Sequence, residues 1–260
     1  MKTKLNAQLF PYLVLGCGGL GLVLRALLYA TGEDSKGLLQ PWHICTILVW
    51  LLTAAVIGAT ALFLRDQDGS NRYRDNFPAS KWGAIGAFAA GAGIAVTVLS
   101  ELRTVWDTLS ILWLVLGLLG AACLVLTGIC RLKGKRPQFF FHGILCLFFA
   151  LNLAIQYRLT SNDPQLQDYV FQIFACIALM LTAYQHTAFD AGMGSRRSLL
   201  LFSLLAVYLC CVCLYGGSHT LLYLTCGAWA LLNICSLTPV PRRRRPETAA
   251  PAEDIPADGE

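Results

Sequence analysis

The sequence predicts an all-α fold, a polytopic bundle of eight membrane-spanning helices with both termini cytoplasmic, and three observations predict it. Of 260 residues, 56% are hydrophobic and 13% charged, about half of the roughly 25% that a soluble domain uses to wet its surface. Eight apolar stretches of about 20 residues follow one another, each long enough to cross roughly 30 Å of hydrocarbon. Lysine and arginine concentrate in every second connection, as in loops retained on the cytoplasmic side. A soluble globule and a separate extramembrane domain are both excluded.

The spans run from Leu9 to Thr31, Trp42 to Leu64, Lys81 to Ser100, Asp107 to Cys130, Phe139 to Thr160, Asp168 to Ala188, Arg197 to Tyr215 and His219 to Leu237. They are rich in Leu and Ala and lack two-residue alternation, so they satisfy their backbones as helices, not barrel strands. Together they form one transmembrane domain over residues 1–238. Sixteen of the 20 Lys and Arg residues fall before the first span, in the second, fourth and sixth connections, or just after the last span. The opposite connections hold only Lys36, Arg103 and Arg158, and Arg25 lies inside the first span. This alternation favours eight spans over seven or nine. It also argues against a cleaved signal peptide, whose apolar run would be shorter and end at small residues. No Asn-x-Ser/Thr sequon occurs, and the expected home is a bacterial cytoplasmic membrane.

Five of the ten prolines lie in the tail, and the others (Pro11, Pro41, Pro78, Pro137, Pro164) are placed at span boundaries or in connections. Proline-broken helices, one pointer to alternating-access transporters, are therefore not expected. Residues 239–260, basic and then acidic, are too polar to bury a core and read as a disordered cytoplasmic tail. Within it Arg242 to Arg245 sit beside the last span, where each contributes about 1 kcal/mol of attraction to anionic headgroups. The spacing of acidic outer and basic inner connections repeats after the fourth span, which would make residues 1–136 and 137–238 parallel repeat units.

Gly83, Ala87, Gly91 and Ala95 recur every four positions in the third span, a seam where a neighbouring backbone approaches closely, within the chain or across a homodimer. Gly16-Cys17-Gly18-Gly19-Leu20-Gly21 spells G-x-G-x-x-G inside an apolar helix. Without a preceding strand and turn it binds no dinucleotide, and its glycines thin the helix for a partner or for Arg25. Eleven cysteines lie in or at the ends of spans, most densely at Cys210-Cys211-Val212-Cys213, and read as small apolar packing residues.

Ionisable and amide groups at membrane depth carry the functional expectation. At 100° per residue, His142, Asn152 and Gln156 share one stripe of the fifth span, and Tyr169, Gln172, Cys176, His186 and Asp190 share one of the sixth. Facing each other, these stripes would make a polar track of Asn152, Gln156, Tyr169 and Gln172 with His142, His186 and Asp190 at its inner mouth. Imidazole titrates near neutrality and an i, i+4 His/Asp pair shares a face, so this cluster suits proton relay or a divalent metal. Arg25 must avoid lipid by snorkelling outward, pairing with an outer carboxylate or binding an anion. Thr46, Thr53 and Thr60 align along the second span, and their hydroxyls are expected to bond back to their own helix. Asn233, Glu101 and Arg103 read as structural.

No phosphate loop, metalloprotease pair or nucleophile elbow is present, and no cofactor motif occurs. Nucleic acid is not an expected partner, because the positive charge is spread over inner loops. Three functions remain. They are permease-like transport of a small polar solute or ion, a non-catalytic subunit or sensor whose basic loops and tail meet a cytoplasmic protein, and an intramembrane enzyme on a lipid. Transport stands first because of the polar stripes.

Overall fold

The computed structural model describes residues 2–32, 43–65, 67, 72–104, 107–160, 166–216 and 219–238. Every regular element among them is helical: α1 (Lys2–Thr31), α2 (Ile44–Leu64), α3 (Tyr73–Asn76), α4 (Lys81–Ser100), α5 (Thr108–Leu132), α6 (Phe139–Thr160), α7 (Leu166–Ala191), α8 (Arg196–Val212) and α9 (Thr220–Cys235), with a 3-10 turn at Glu101–Thr104. Six are long and apolar enough to cross a membrane: α1 over Leu9–Thr31, α2, α4, α5, α6 over Phe139–Arg158 and α7 over Tyr169–Ala191. They mark the chain as an integral, multi-pass membrane protein. The seventh and eighth expected spans are helices of only 17 and 16 residues, about 25 Å long. Gly216, at φ +74 against the Tyr29 ring, turns the chain between them. The tail beyond 238 lies outside the described residues.

Local chemistry sets the helix starts. Ser80 Oγ accepts from Gly83 N at 3.3 Å, Asp107 Oδ1 from Thr108 N at 2.8 Å, and His43 Nδ1 from Cys45 N at 3.3 Å, each meeting an amide the helix leaves unpaired. Several sequence-based boundaries are corrected. Asp107 and His219 are caps outside their helices, α7 begins at Leu166, and α1 runs back to Lys2. Pro11 therefore lies within a helix and not at its edge.

The connections carrying the basic residues meet at one end of the bundle. Ser80 N donates to Arg131 O at 3.4 Å, Arg197 Nη2 to Arg65 O at 2.9 Å, and Thr238 N to Asn76 O at 3.1 Å. Phe10 of α1 stacks on Phe63 of α2 at 4.1 Å near the same end. Packing joins α1 to α2, α4 to α5 and α9, α5 to α6, α6 to α7, and α7 to α8, while α8 lies among α1, α2, α7 and α9. The α7/α8 pair is closely packed, and α2/α4 is not among the closely packed pairs.

Small residues position α4 between two neighbours. A Cβ at Gly86 would come within 3.1 Å of Leu232 and 3.3 Å of the Trp229 Cα on α9, whereas one at Gly91 would meet Ala121 O of α5 at 3.0 Å. Gly83 faces Ser236 and Asn233 beyond and on α9. The Gly83–Ala95 seam thus meets two helices. Four residues advance 400°, so an i+4 row drifts about 40° per step around the helix. In α1, Gly18 and Gly21 lie against Cys211 and Val212 of α8, each with a prospective Cβ contact of 2.8 Å, while Gly16 and Gly19 have nothing within 4 Å.

Leucine at Gly86 or Gly91 should each destabilise the protein by about 1–3 kcal/mol through overpacking. Gly19→Leu, on open helix surface, should not lower stability. Thermal melts of the three variants in one detergent check the contrast.

Candidate functional site

The basic end of the bundle buries an imidazole, a carboxylate and a guanidinium together. His142, in the first turn of α6, and Asp190, in the last turn of α7, are brought face to face by the antiparallel packing of those helices. His142 Nδ1 and Asp190 Oδ2 are 2.5 Å apart with both side chains buried. Four residues before Asp190, on the same face of α7, His186 stacks on the His142 ring with centroids 4.9 Å apart. Trp229 of α9 closes over both, 5.2 Å from His186 and 6.3 Å from His142. The three residues expected to cluster are therefore together. Stacked imidazoles present faces, not converging lone pairs, and among the described residues no group of three His, Cys, Asp or Glu is placed to hold a metal ion.

A second layer comes from residues that read as topology determinants or as structural. Arg131, in the last turn of α5, is buried; its Nη2 donates to Asn233 Oδ1 at 3.1 Å, and its guanidinium lies 4.1 Å from the Phe77 ring centroid and 5.7 Å from that of Tyr73. Phe77 also packs 5.5 Å from His186, so Arg131 and the histidines share one wall. Desolvation, which raises it, outweighs the nearby Arg131 charge, which lowers it, and pushes the Tyr73 phenol up to about 12. That hydroxyl stays protonated, a donor, throughout the physiological range. Tyr73 opens the single turn of α3 and Phe77 closes it, and the turn is held under the bundle by its own clasp. Arg196 Nη1 donates to Asn76 Oδ1 at 2.7 Å, Arg196 Nη2 to Thr238 O at 2.6 Å, and the Thr238 hydroxyl to Asp75 O.

The signal that marks α3 in the sequence is an i, i+4 pair of aromatics inside a charged connection. The signal for Arg131 is that it falls on the last turn of an apolar helix, about 40° round from Thr127 and about 80° from Cys123 along one buried face. Loop counting alone hides both.

Farther along the bundle, the expected track residues bond to their neighbours. Trp113 Nε1 of α5 donates to Asn152 Oδ1 at 3.0 Å, and Asn152 Nδ2 donates to Cys176 Sγ at 3.5 Å. Gln156 Nε2 donates to the Tyr223 hydroxyl at 2.9 Å, which donates to Gln172 O at 3.5 Å, and Gln172 Nε2 donates to Gly216 O at 3.1 Å. Asn152, Gln156 and Gln172 are buried and Tyr169 is half-buried. The α6 and α7 stripes meet through Cys176 and through Tyr223 of α9.

Arg25 is buried, its guanidinium 5.8 Å from the Tyr29 ring centroid and 5.5 Å from that of Phe171. It lies inside the bundle beneath aromatic faces. The expected outer acids Glu33, Asp34 and Asp163 lie outside the described residues. Asp107 pairs instead with Arg158 at 2.9 Å on the surface. Thr53 bonds back to Val49 O at 2.7 Å and also meets the Tyr208 hydroxyl at 2.9 Å.

No family model, no curated protein and no solved structure matches this chain. The class of protein is thus defined by the chain itself, a multi-pass helical membrane protein with a buried His–Asp–His cluster at one end.

A double-mutant cycle on Gln156→Leu and Tyr223→Phe should return a coupling of about 0.6 kcal/mol, the usual value for an interhelical hydrogen bond in a membrane protein. Asp190→Leu, which strands His142, should cost about 3–5 kcal/mol. Both are read by reversible denaturation in mixed micelles.

Proposed function

We propose that the chain is a permease-like protein that moves a small polar solute or ion across the membrane, with His142, His186 and Asp190 as the solute- or proton-handling site. The observation that carries this reading is the 2.5 Å His142–Asp190 pair, buried beneath the His186 ring. A buried carboxylate–imidazole pair at membrane depth is costly and is characteristic of proton relays and solute sites. On α6, Leu145, Phe148 and Phe149 are buried between this cluster and Asn152, so polar groups stand at two depths with an apolar layer between them.

The reading takes α8 and α9, with α1, α2 and α4 to α7, as eight crossings, with both termini cytoplasmic in a bacterial inner membrane. Its supports are the charge alternation and the meeting of the basic connections at one end of the bundle. Lys133, Lys135 and Arg136 at that end then meet anionic headgroups, and the short helices α8 and α9 cross within the shelter of longer ones.

Two measurements test the proposal. Reporter fusions after residue 238 and ahead of Met1 should both read as cytoplasmic, and a split result would refute the eight-crossing topology. Purified protein in liposomes should support flux of an ion or small metabolite that His186→Ala abolishes while its melting curve stays cooperative. Equal flux in wild type and His186→Ala would remove the site from transport.

A further inference from the structure

Six buried polar atoms at the basic end have no hydrogen-bond partner among the described residues; one is Arg196 Nε in the α3 clasp, and the other five are Tyr73 OH, Arg131 Nη1, Asn233 Nδ2, His186 Nε2 and Asp190 Oδ1. These five come from α3, α5, α9 and α7, and the contacts already described join their residues into one neighbourhood. Phe77 touches both Arg131 and His186, Asn233 holds the other Arg131 nitrogen, and Trp229 packs against His186. Five orphaned polar atoms at one place are uncharacteristic of a finished core, where nearly every buried polar group is paired. Their chemistry is also one-sided. The phenol, guanidinium and amide offer hydrogens, as does His186 Nε2 in its N–H tautomer, whereas the Asp190 oxygen can only accept.

The charges agree with this. Arg131 takes part in no ion pair among the described residues, and the Asp190 carboxylate is engaged by His142. A buried guanidinium with a neutral amide and two ring faces as partners calls for an anion. The single free acceptor adds a condition, since a bare anion would leave Asp190 Oδ1 facing its negative charge. A ligand that presents a hydrogen there satisfies all five atoms.

We propose that this cluster binds a small oxyanion carrying one hydroxyl, with Tyr73, Arg131, Asn233 and His186 donating to its anionic oxygens and its O–H donating to Asp190 Oδ1. Protonated phosphate has this chemistry, and so does a small 2-hydroxy carboxylate; sulfate and a plain carboxylate lack the hydroxyl. The inference rests on the transport reading of the same cluster, for which it names the class of solute.

Isothermal titration calorimetry of the full-length protein in detergent, with inorganic phosphate, sulfate, 2-hydroxypropanoate and propanoate as separate titrants, tests it. Phosphate or 2-hydroxypropanoate should bind, and whichever binds should exceed its hydroxyl-free counterpart by about tenfold or more, the equivalent of one hydrogen bond to a charged group. Tyr73→Phe removes only an unpartnered hydroxyl, so it should melt no lower than wild type yet bind the preferred anion about tenfold more weakly. Asp190→Asn should narrow the gap between phosphate and sulfate, or between the two carboxylates. The proposal is overturned if none of the four binds, if the hydroxyl confers no preference, or if Tyr73→Phe binds as tightly as wild type. Binding that behaves as expected, without flux of that anion into proteoliposomes, leaves this site intact and refutes the transport reading. Flux of a cation or neutral solute that depends on His186, with no anion bound, does the reverse.

Discussion

The burial of the Arg131 guanidinium organises the basic half of this molecule. Removing such a charge from water costs several kcal/mol even after relaxation, and what surrounds it has to offset that. Here the surroundings are assembled from segments remote in sequence: the Asn233 amide from α9 and the ring faces of Phe77 and Tyr73 from beside the single turn of α3. A four-residue helix has no stability of its own. It stays under the bundle because Arg196 and Thr238 clasp Asn76 and Asp75, and because Ser80 N reaches the Arg131 carbonyl. One desolvated cation thus explains why the second basic connection folds back to floor the His142/His186/Asp190 cluster.

The two short helices follow from a different constraint. A helix that faces lipid has to match the hydrocarbon thickness, and mismatch costs fractions of a kcal/mol per Å. A helix surrounded by protein is released from that requirement, because its ends meet other polar groups inside the bundle. Helix α8 lies among α1, α2, α7 and α9, and most of its side chains are buried, Tyr208 and Leu204 completely. Helix α9 is held by α4 through Gly83 and Gly86 and carries the buried Trp229 and Tyr223. The close approach that glycine permits is what places Trp229 over the histidines, so the packing of α4 and the geometry of the site are one arrangement.

Much of this is written in the sequence, and what is hidden is hidden for physical reasons. Hydropathy and length give the long helices because lipid imposes both. The His142, His186 and Asp190 grouping is legible because two antiparallel helices with one polar stripe each bury the stripes against each other. Arg131 is hidden from loop counting, since a cation near a helix end normally serves topology, and what distinguishes a buried one is its place on the Thr127 face and the ring faces beneath it. Asn152, Gln156 and Gln172 are correctly read as inward-facing, but their partners Trp113, Tyr223 and Gly216 O lie on α5, on α9 and just after α8. Stripe arithmetic on α6 and α7 alone cannot supply those. The Gly83–Ala95 row shows the same limit, for a spacing of four identifies small residues on adjoining faces without saying that α9 takes one face and α5 the next.

The distribution of strong and weak packing bears on how such a bundle could move. Ten residues separate His142 from Asn152 on α6, about 15 Å of helix, and the side chains buried between them include Leu145, Phe148 and Phe149. A solvated ion does not cross a dry layer of that thickness without several kcal/mol of penalty. On the transport reading, therefore, α6 and α7 have to shift relative to α5 and α9. The polar links that oppose the shift are Trp113 to Asn152, Gln156 to Tyr223 and Gln172 to Gly216, each worth only about 0.6 kcal/mol in a membrane protein. Close contacts oppose it as well. At Gly86 and Gly91 of α4, and at Gly117 of α5 where Phe148 of α6 seats, the neighbouring atoms are already at the limit of approach, and close-packed surfaces do not slide by small increments. On that reading α4, α5 and α9, which carry Arg131, Asn233 and Trp229, stay together, while α6 and α7, which carry His142, His186 and Asp190, repack against them. The cluster lies on the seam between the two, where a solute that bridged Arg131 to Asp190 would favour one relative position of the helices over another.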